Sequence, residues 1–312
     1  MEGTAKRRLV TRSDFDGLVC AMILKQKDLI DDIKFVHPKD VQDGKIELTE
    51  NDITTNLPFD PRTGLVFDHH ESELIRNAQR ANADKYIIDP DAKSAARVVY
   101  DYYGGKEGLP GISEELMEAV DKGDSADFTL DEILNPTGWV LMNFLMDART
   151  GLGRFHNFRI SNYDLMMELI DYCVNHTVEE VLEIPDVKER MDLYFEQQEL
   201  FKAQLERIAK VHDKVVVVDL RDEEVIYAGN RFYVYAMYPE TEISIHVAWG
   251  FRKQNTAVMI GKSIVNRASN ANIGELCLSY GGGGHKNAGT CQIDNDKVDA
   301  TLPDIIKALN DA

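Results

Sequence analysis

Short apolar runs ending in polar residues alternate with helically spaced segments through the first third of the chain. Leu9-Val10-Thr11 leads through the turn Arg12-Ser13-Asp14-Phe15-Asp16-Gly17 into a segment with Leu18, Ala21, Met22 and Leu24 on one helical spacing. Lys34-Phe35-Val36-His37 follows and is closed by Pro38. Strand, helix and strand in that order mark a βαβ unit, which implies a parallel sheet. Three further runs, Asp52 to Asn56, Leu65 to Asp68 and Tyr86 to Asp89, read as strands. Helices are predicted from about Lys93-Ser94 to the Gly104-Gly105 stop, and from Ser113 to about Asp121. The fold class that follows is α/β, a doubly wound and mainly parallel sheet.

From about Pro136 to Val211 the pattern is helical. Trp139, Leu141, Met142, Leu145 and Met146 make one apolar face, and Leu193, Phe195, Leu200, Phe201 and Leu205 make another within a charge-rich helix. Such stripes are core rather than chemistry. At His212-Asp213-Lys214 the period changes to that of strands: Val215 to Leu220, Phe232 to Tyr238, Ile243 to Trp249 and Ala257 to Ile260. A helix from about Ile273 to Tyr280 and a last amphipathic one from Leu302 to Ala312 complete a smaller α+β domain. The expected division is an α/β domain over 1–185, a helical linker over 186–212 and the α+β domain over 213–312, in keeping with a chain of 312 residues.

Charge narrows the partners. With 54 acidic and 35 basic residues the net charge is −19, whereas a broad nucleic-acid surface needs Lys and Arg to neutralise many phosphates. A long duplex is therefore excluded as partner, and a polyanionic substrate must be met locally, by a metal cluster or a small basic pocket. Cys20, Cys173, Cys277 and Cys291 form no CxxC pair, so neither a zinc ribbon nor a disulfide framework is expected, and reduced thiols suit a cytoplasmic protein. No apolar run approaches the roughly 18 residues of a membrane span, and Lys6-Arg7-Arg8 runs into structure with no signal-peptide core. Apolar residues left exposed on the 136–211 helices would suit a homodimer.

The candidate chemistry lies at strand ends and in one glycine run. Asp68-His69-His70 closes the apolar run Leu65-Val66-Phe67, at the edge where open α/β sheets bind ligands. Carboxylate oxygen with neutral imidazole nitrogen suits manganese, iron, zinc or cobalt, although three such residues also occur on surface turns. Asp14 and Asp16 alternate just before a helix; together they could collect a cation, whereas Asp16 alone reads as the helix cap. Gly281-Gly282-Gly283-Gly284-His285 could present backbone amides to a phosphate, with Lys262 and Arg267 nearby, or form a flexible loop.

Taken together, Asp14/Asp16, Asp68-His69-His70, Asp124 and Gly281 to His285 resemble the DHH phosphoesterase superfamily in its form with a C-terminal DHHA1 domain, over essentially the full chain. The resemblance implies a two-domain enzyme that hydrolyses phosphodiester or phosphoanhydride bonds with one or two divalent cations, usually Mn²⁺. It implies Asp14, Asp16, Asp68, His69 and Asp124 as metal ligands, with Asp121 and Asp127 as alternatives for the last. Asp68, His69, His70 and Arg12 would be catalytic, and His70, Arg267, Gly282, Gly283, Gly284 and His285 would bind substrate phosphate. Two positions depart from the family pattern: Arg12 stands where a ligand His is expected, and Asn56 where a strand-end Asp is expected. Arginine stays protonated and cannot ligate, and a neutral amide bridges cations poorly; one metal site should be weakened or lost. Arg12 would then either reach the scissile phosphate or pair with Asp14. The expected function is hydrolysis of a small polyanion, exopolyphosphatase-like. The alternatives are a phosphodiesterase acting on short oligonucleotides or cyclic-dinucleotide products, and an impaired relative that binds nucleotide or phosphate.

Overall fold

A computed structural model describes residues 6–70, 84–155 and 157–312; Glu71, Ser72 and Glu73, which follow the Asp-His-His triplet, lie outside them. The chain forms two compact units, Met1–Asp127 with Pro136–Asp192, and Phe128–Asn135 with Leu193–Ala312. The division falls inside one 24-residue helix, Pro185–Ile208.

The first unit is built on β1 (Arg7–Thr11), β2 (Ile30–Phe35), β3 (Asp52–Thr55), β4 (Leu65–Asp68) and β5 (Tyr86–Ile88), all parallel in the order β2-β1-β3-β4-β5. The second strand begins at Ile30 rather than Lys34, because Asp31 and Asp32 occupy its exposed side while Ile30 and Ile33 are buried. The central strands are covered on both faces: every residue of β3 is buried, as are Leu9, Val10 and Thr11 of β1. The helix Phe15–Gln26 is buried from Phe15 to Leu24, so its sequence is apolar almost all round rather than amphipathic. From β1 the chain turns one way to β2 and the other way to β3. The carboxyl ends of β1 and β3 therefore flank a topological switch point, where such sheets open a crevice. Threonines join the two strands there: Thr11 Oγ1 donates to Thr55 O at 3.2 Å, and Thr55 Oγ1 to Thr11 Oγ1 at 2.7 Å.

One predicted helix face is corrected. Phe195 and Leu200 are 42% and 47% exposed, and the buried stripe of Pro185–Ile208 instead runs Val187, Arg190, Tyr194, Gln197, Gln204 and Leu205. These positions keep helical spacing, but three are polar side chains satisfied by hydrogen bonds. An apolar-only template passes over them.

The second unit carries β6 (Ala209–His212), β7 (Val215–Asp219), β8 (Ile243–Trp249), β9 (Thr256–Lys262), β10 (Gly283–His285) and β11 (Ala288–Ile293), in the order β10-β11-β9-β8-β7-β6. Only β7 and β8 pair in parallel. Val217, Ile245, Val258 and Ile260 pack with Ile273, Cys277 and Ile305 in its core. Three expectations change. Residues 209–211, read as the end of a helix, open β6. Phe232 to Tyr238, read as a strand, contains the helix Tyr233–Met237. Its β-prone residues are overruled by a local bond at its start, where Asn230 Oδ1 accepts the Phe232 amide at 2.9 Å, and by bonds to other strands, where the Tyr235 hydroxyl meets Ser244 Oγ at 2.7 Å and Gly261 O at 3.0 Å. The glycine run, read as a loop, ends as an edge strand. All four cysteines are free and buried, and no described helix is long and apolar enough to cross a membrane.

Candidate metal centre

The turn after β1 sorts its two aspartates into different work. Asp14, not Asp16, caps the helix Phe15–Gln26: its Oδ1 accepts the Gly17 amide at 3.0 Å, and Arg12 Nε lies 3.0 Å from its Oδ2. Gly17 permits this tight turn, since a Cβ there would stand 2.0 Å from Arg12 O. Asp16 is thereby placed within the first turn of the helix and is only 2% exposed. Its carboxylate accepts from the amides of Ala95 (3.2 Å) and Ala96 (2.7 Å), and from Asn56 Nδ2 (2.7 Å). Ala95 and Ala96 open the helix Ala95–Tyr102, whose amino end favours an anion. These small residues let the backbone come close, a signal the sequence held and hydropathy did not read.

Asp16, His69 and Asp124 each bring one ligand atom within 4.8 Å of the others. Asp124 lies in the last turn of the helix Glu114–Ser125, with Oδ2 3.0 Å from His69 Nε2. That contact has ion-pair distance but not hydrogen-bond alignment, because His69 Nε2 has no hydrogen-bond partner among the described residues. His69 Nδ1 faces Ala92 O at 3.2 Å, which turns Nε2 toward the carboxylates. Asn56 Oδ1, beside Asp16, and Asp68 Oδ2, next to His69 in the chain, are also buried with no hydrogen-bond partner among the described residues. Unpaired buried acceptors are costly, and donor atoms of this kind, carboxylate and imidazole, suit a divalent transition metal.

The electrostatics describe the cluster without a cation. Burial, with the Asp124 charge added, pushes Asp16 up to about 8, against the pull of His69 and the Ala96 amide. Burial opposes a charge on His69 too, but the Asp124 carboxylate, backed by Asp16 and Asp68, outweighs it and raises the imidazole to about 9. Burial raises Asp14, and Asp124 adds to this while Arg12 opposes it. Burial likewise works against the Asp124 carboxylate, yet His69 with Arg12 and His70 holds it below the usual range. A proton on His69 thus occupies the electrostatic place of a cation.

The other expected residues are distributed around this cluster. Asp68, fully buried, holds His70 Nδ1 at 2.7 Å; it and Asp14 are outside the tight group of three. The alternatives to Asp124 are engaged elsewhere: Asp121 accepts from Ser94 Oγ and from both Nε and Nη2 of Arg97 at 2.7 to 2.9 Å, and Asp127 lies 3.9 Å from Lys93 Nζ. Asn56 adopts φ +54°, the left-handed region that Asn tolerates better than most side chains. Arg149 was not foreseen. Its Nε binds the Asp147 carboxylate at 2.7 and 3.0 Å, and its charge acts on Asp14 and Asp124. It sits in a short turn after the helix Gly138–Met146, with no motif to mark it.

In the second unit the glycines serve packing first. The amides of Gly281 and Gly282 donate to Leu278 O (3.0 Å) and Cys277 O (2.8 Å), closing the helix Ile273–Ser279. Gly282 therefore has no amide left for an anion, which corrects its expected share in a phosphate nest. A Cβ on Gly282 would meet Thr290 O at 2.1 Å, and one on Gly283 would meet nothing within 4 Å. Gly284 adopts φ +154°. Arg267 Nε donates to Ile264 O at 3.1 Å, and His285 pairs with Ala288 in the edge hairpin.

Among solved structures the chain is 58% identical to PggH, a pGpG-specific phosphodiesterase from Vibrio cholerae, over 98% of this chain and 99% of that one, with a TM-score of 0.81. It also shares a fold with RecJ from Thermus thermophilus in complex with Mn²⁺, at 15% identity and a TM-score of 0.50, covering 98% of this chain and 52% of that one. No family model and no curated protein matches the chain. With its parallel sheet, its Asp-His-His strand end and this full-length identity, the chain belongs to the DHH phosphoesterase superfamily and is an enzyme that hydrolyses phosphoester bonds.

Proposed function

We propose that this protein is a Mn²⁺-dependent phosphodiesterase of linear guanine dinucleotides of the pGpG type. The observation that carries the reading is the 58% identity to a pGpG-specific phosphodiesterase over 98% of the chain. It favours the dinucleotide alternative over the exopolyphosphatase-like activity expected first.

Asp16, His69 and Asp124 would hold the cation, with Asp14 and Asp68 beside them as further carboxylates. Bound there, a divalent ion supplies Lewis acidity and lowers the pKa of water. The chain does the rest. Asn56 Nδ2 and the Ala95 and Ala96 amides fix Asp16 in one orientation. Asp68 orients the His70 ring through Nδ1, so that it can meet a phosphate oxygen. Arg12 and Arg149 bring guanidinium charge to the same turn, where it offsets the negative charge that builds on a phosphoryl group in the transition state. In the second unit Arg267, Gly283, Gly284 and His285 would grip the terminal phosphate. Four buried free thiols support a cytoplasmic location.

The test is hydrolysis by purified protein with Mn²⁺ on pGpG, pApA, cyclic dinucleotide and polyphosphate. Conversion of pGpG to GMP faster than any other substrate is expected. Faster release of phosphate from polyphosphate would overturn the proposal.

A further inference from the structure

We propose that a cavity of about 170 Å³ in the first unit is the subsite for one guanine base of the substrate, read at its acceptor edge by Asn162 and Ser13. This rests on the dinucleotide reading above.

The location comes first. Ser13 lies between Arg12 and Asp14 in the turn that serves the metal cluster, and the same residue lines the cavity. The wall opposite is apolar and rich in methionine: Met142, Leu145, Met146, Leu165 and Met166. Flexible thioethers and leucines fit the flat faces of an aromatic ring, and enzymes that handle single bases hold them between such side chains. In sequence these residues read as plain core.

The polar edge decides which base. Arg190 is only 3% exposed, and its Nε and Nη2 donate to Asn162 Oδ1 at 2.9 and 2.8 Å. The guanidinium is itself pinned by Asp186 O and Ile160 O, both at 2.9 Å, and lies 4.2 Å from the Phe158 ring centroid. A buried cation is costly to place, and here it has a definite effect. It commits the oxygen of Asn162, so Nδ2 is the free end of the amide and can only donate. Asn162 Nδ2 and Ser13 Oγ make no hydrogen bond among the described residues and stand at the same cavity. Guanine presents two adjacent acceptors, N7 and O6, whereas adenine presents N7 beside an N6 donor. The hydroxyl can donate or accept and so serves N7 of either purine, whereas the fixed amide donor, placed opposite the O6/N6 position, meets an acceptor in guanine and a donor in adenine. It therefore selects guanine, and Arg190 acts as the positioning residue.

The experiment compares kcat/KM on pGpG and pApA for wild type, Asn162→Ala and Asn162→Asp, with equilibrium binding of GMP and AMP measured separately by calorimetry. Asn162 is surface-exposed, and Arg190 keeps its bonds to Asp186 O and Ile160 O in both variants, so both should fold, as circular dichroism would read. The pGpG to pApA ratio is expected to fall roughly tenfold in Asn162→Ala, mainly through KM, and further in Asn162→Asp, where an acceptor replaces the donor. A ratio equal to wild type in both variants overturns the subsite. Should wild type cleave neither dinucleotide, the proposed function fails, while a GMP preference over AMP that disappears in Asn162→Asp would still support the subsite. No GMP preference in wild type overturns it.

Discussion

The Asp-His-His end of β4 and the Gly281–His285 run carry the most distinctive motifs of the two units, and they use their polar groups in opposite ways. Around Asp16, His69 and Asp124, buried polar atoms stand unpaired among the described residues, and burial, with the Asp124 charge added, pushes a proton onto Asp16. Around the glycines, the first two amides are bound to helix carbonyls and the last residues to a sheet edge. A folded protein satisfies nearly all its buried polar groups. The unpaired groups around Asp16 support the cation site proposed above, whereas the bonded glycine amides serve packing first.

The largest effect that would break this contrast is loss of a cluster carboxylate. Asp16→Asn or Asp124→Asn should lower kcat on pGpG by roughly a hundredfold to a thousandfold while the fold survives, as read by steady-state kinetics and circular dichroism. A rate near wild type would remove the cluster from the chemistry. Next comes Gly282→Ala, whose methyl would meet Thr290 O at 2.1 Å. It should cost about 1–3 kcal/mol of stability in thermal unfolding. Gly283→Ala, which meets nothing within 4 Å, should stay within about 0.5 kcal/mol. Equal losses at both positions would refute the packing account.

A smaller test concerns pH. His69 is raised from 6.5 to about 9, so its stabilising contribution is full below 6.5 and is lost as pH climbs through about 9. Asp16, raised from 3.8 to about 8, acts in the same direction, because the folded form keeps a proton that the unfolded form releases. The metal-free protein should therefore lose Tm between pH 6.5 and 9. Added Mn²⁺, which displaces the proton from His69, should raise Tm more near pH 9 than near pH 6.5. A gain independent of pH would count against His69 as a ligand.

Much of the scaffold was legible because its signals are local. The apolar runs at Leu9 and Leu65 ended where predicted, and Ser94 announced its helix by the side chain that caps it. Asp68, His69 and His70 were recognisable as residue types that suit a metal. What escaped depended on residues far apart in the chain. Tyr235 was drawn into a helix by Ser244 and Gly261, and the buried stripe of Pro185–Ile208 includes Arg190 and Gln197, which no apolar template selects.

By itself the sequence determined the parallel sheet, the strand-end Asp68-His69-His70 as residue types that suit a metal, and the two departures, Arg12 and Asn56, because hydrophobic period and residue chemistry act over a few positions. Tertiary structure alone decided that Asp14 caps while Asp16 reaches inward, and that Asp124 rather than Asp121 or Asp127 joins His69. It also decided that Arg190 fixes the amide of Asn162. Each of these turns on which of several chemically equal groups is already engaged by a distant partner, and only the folded chain brings those partners together.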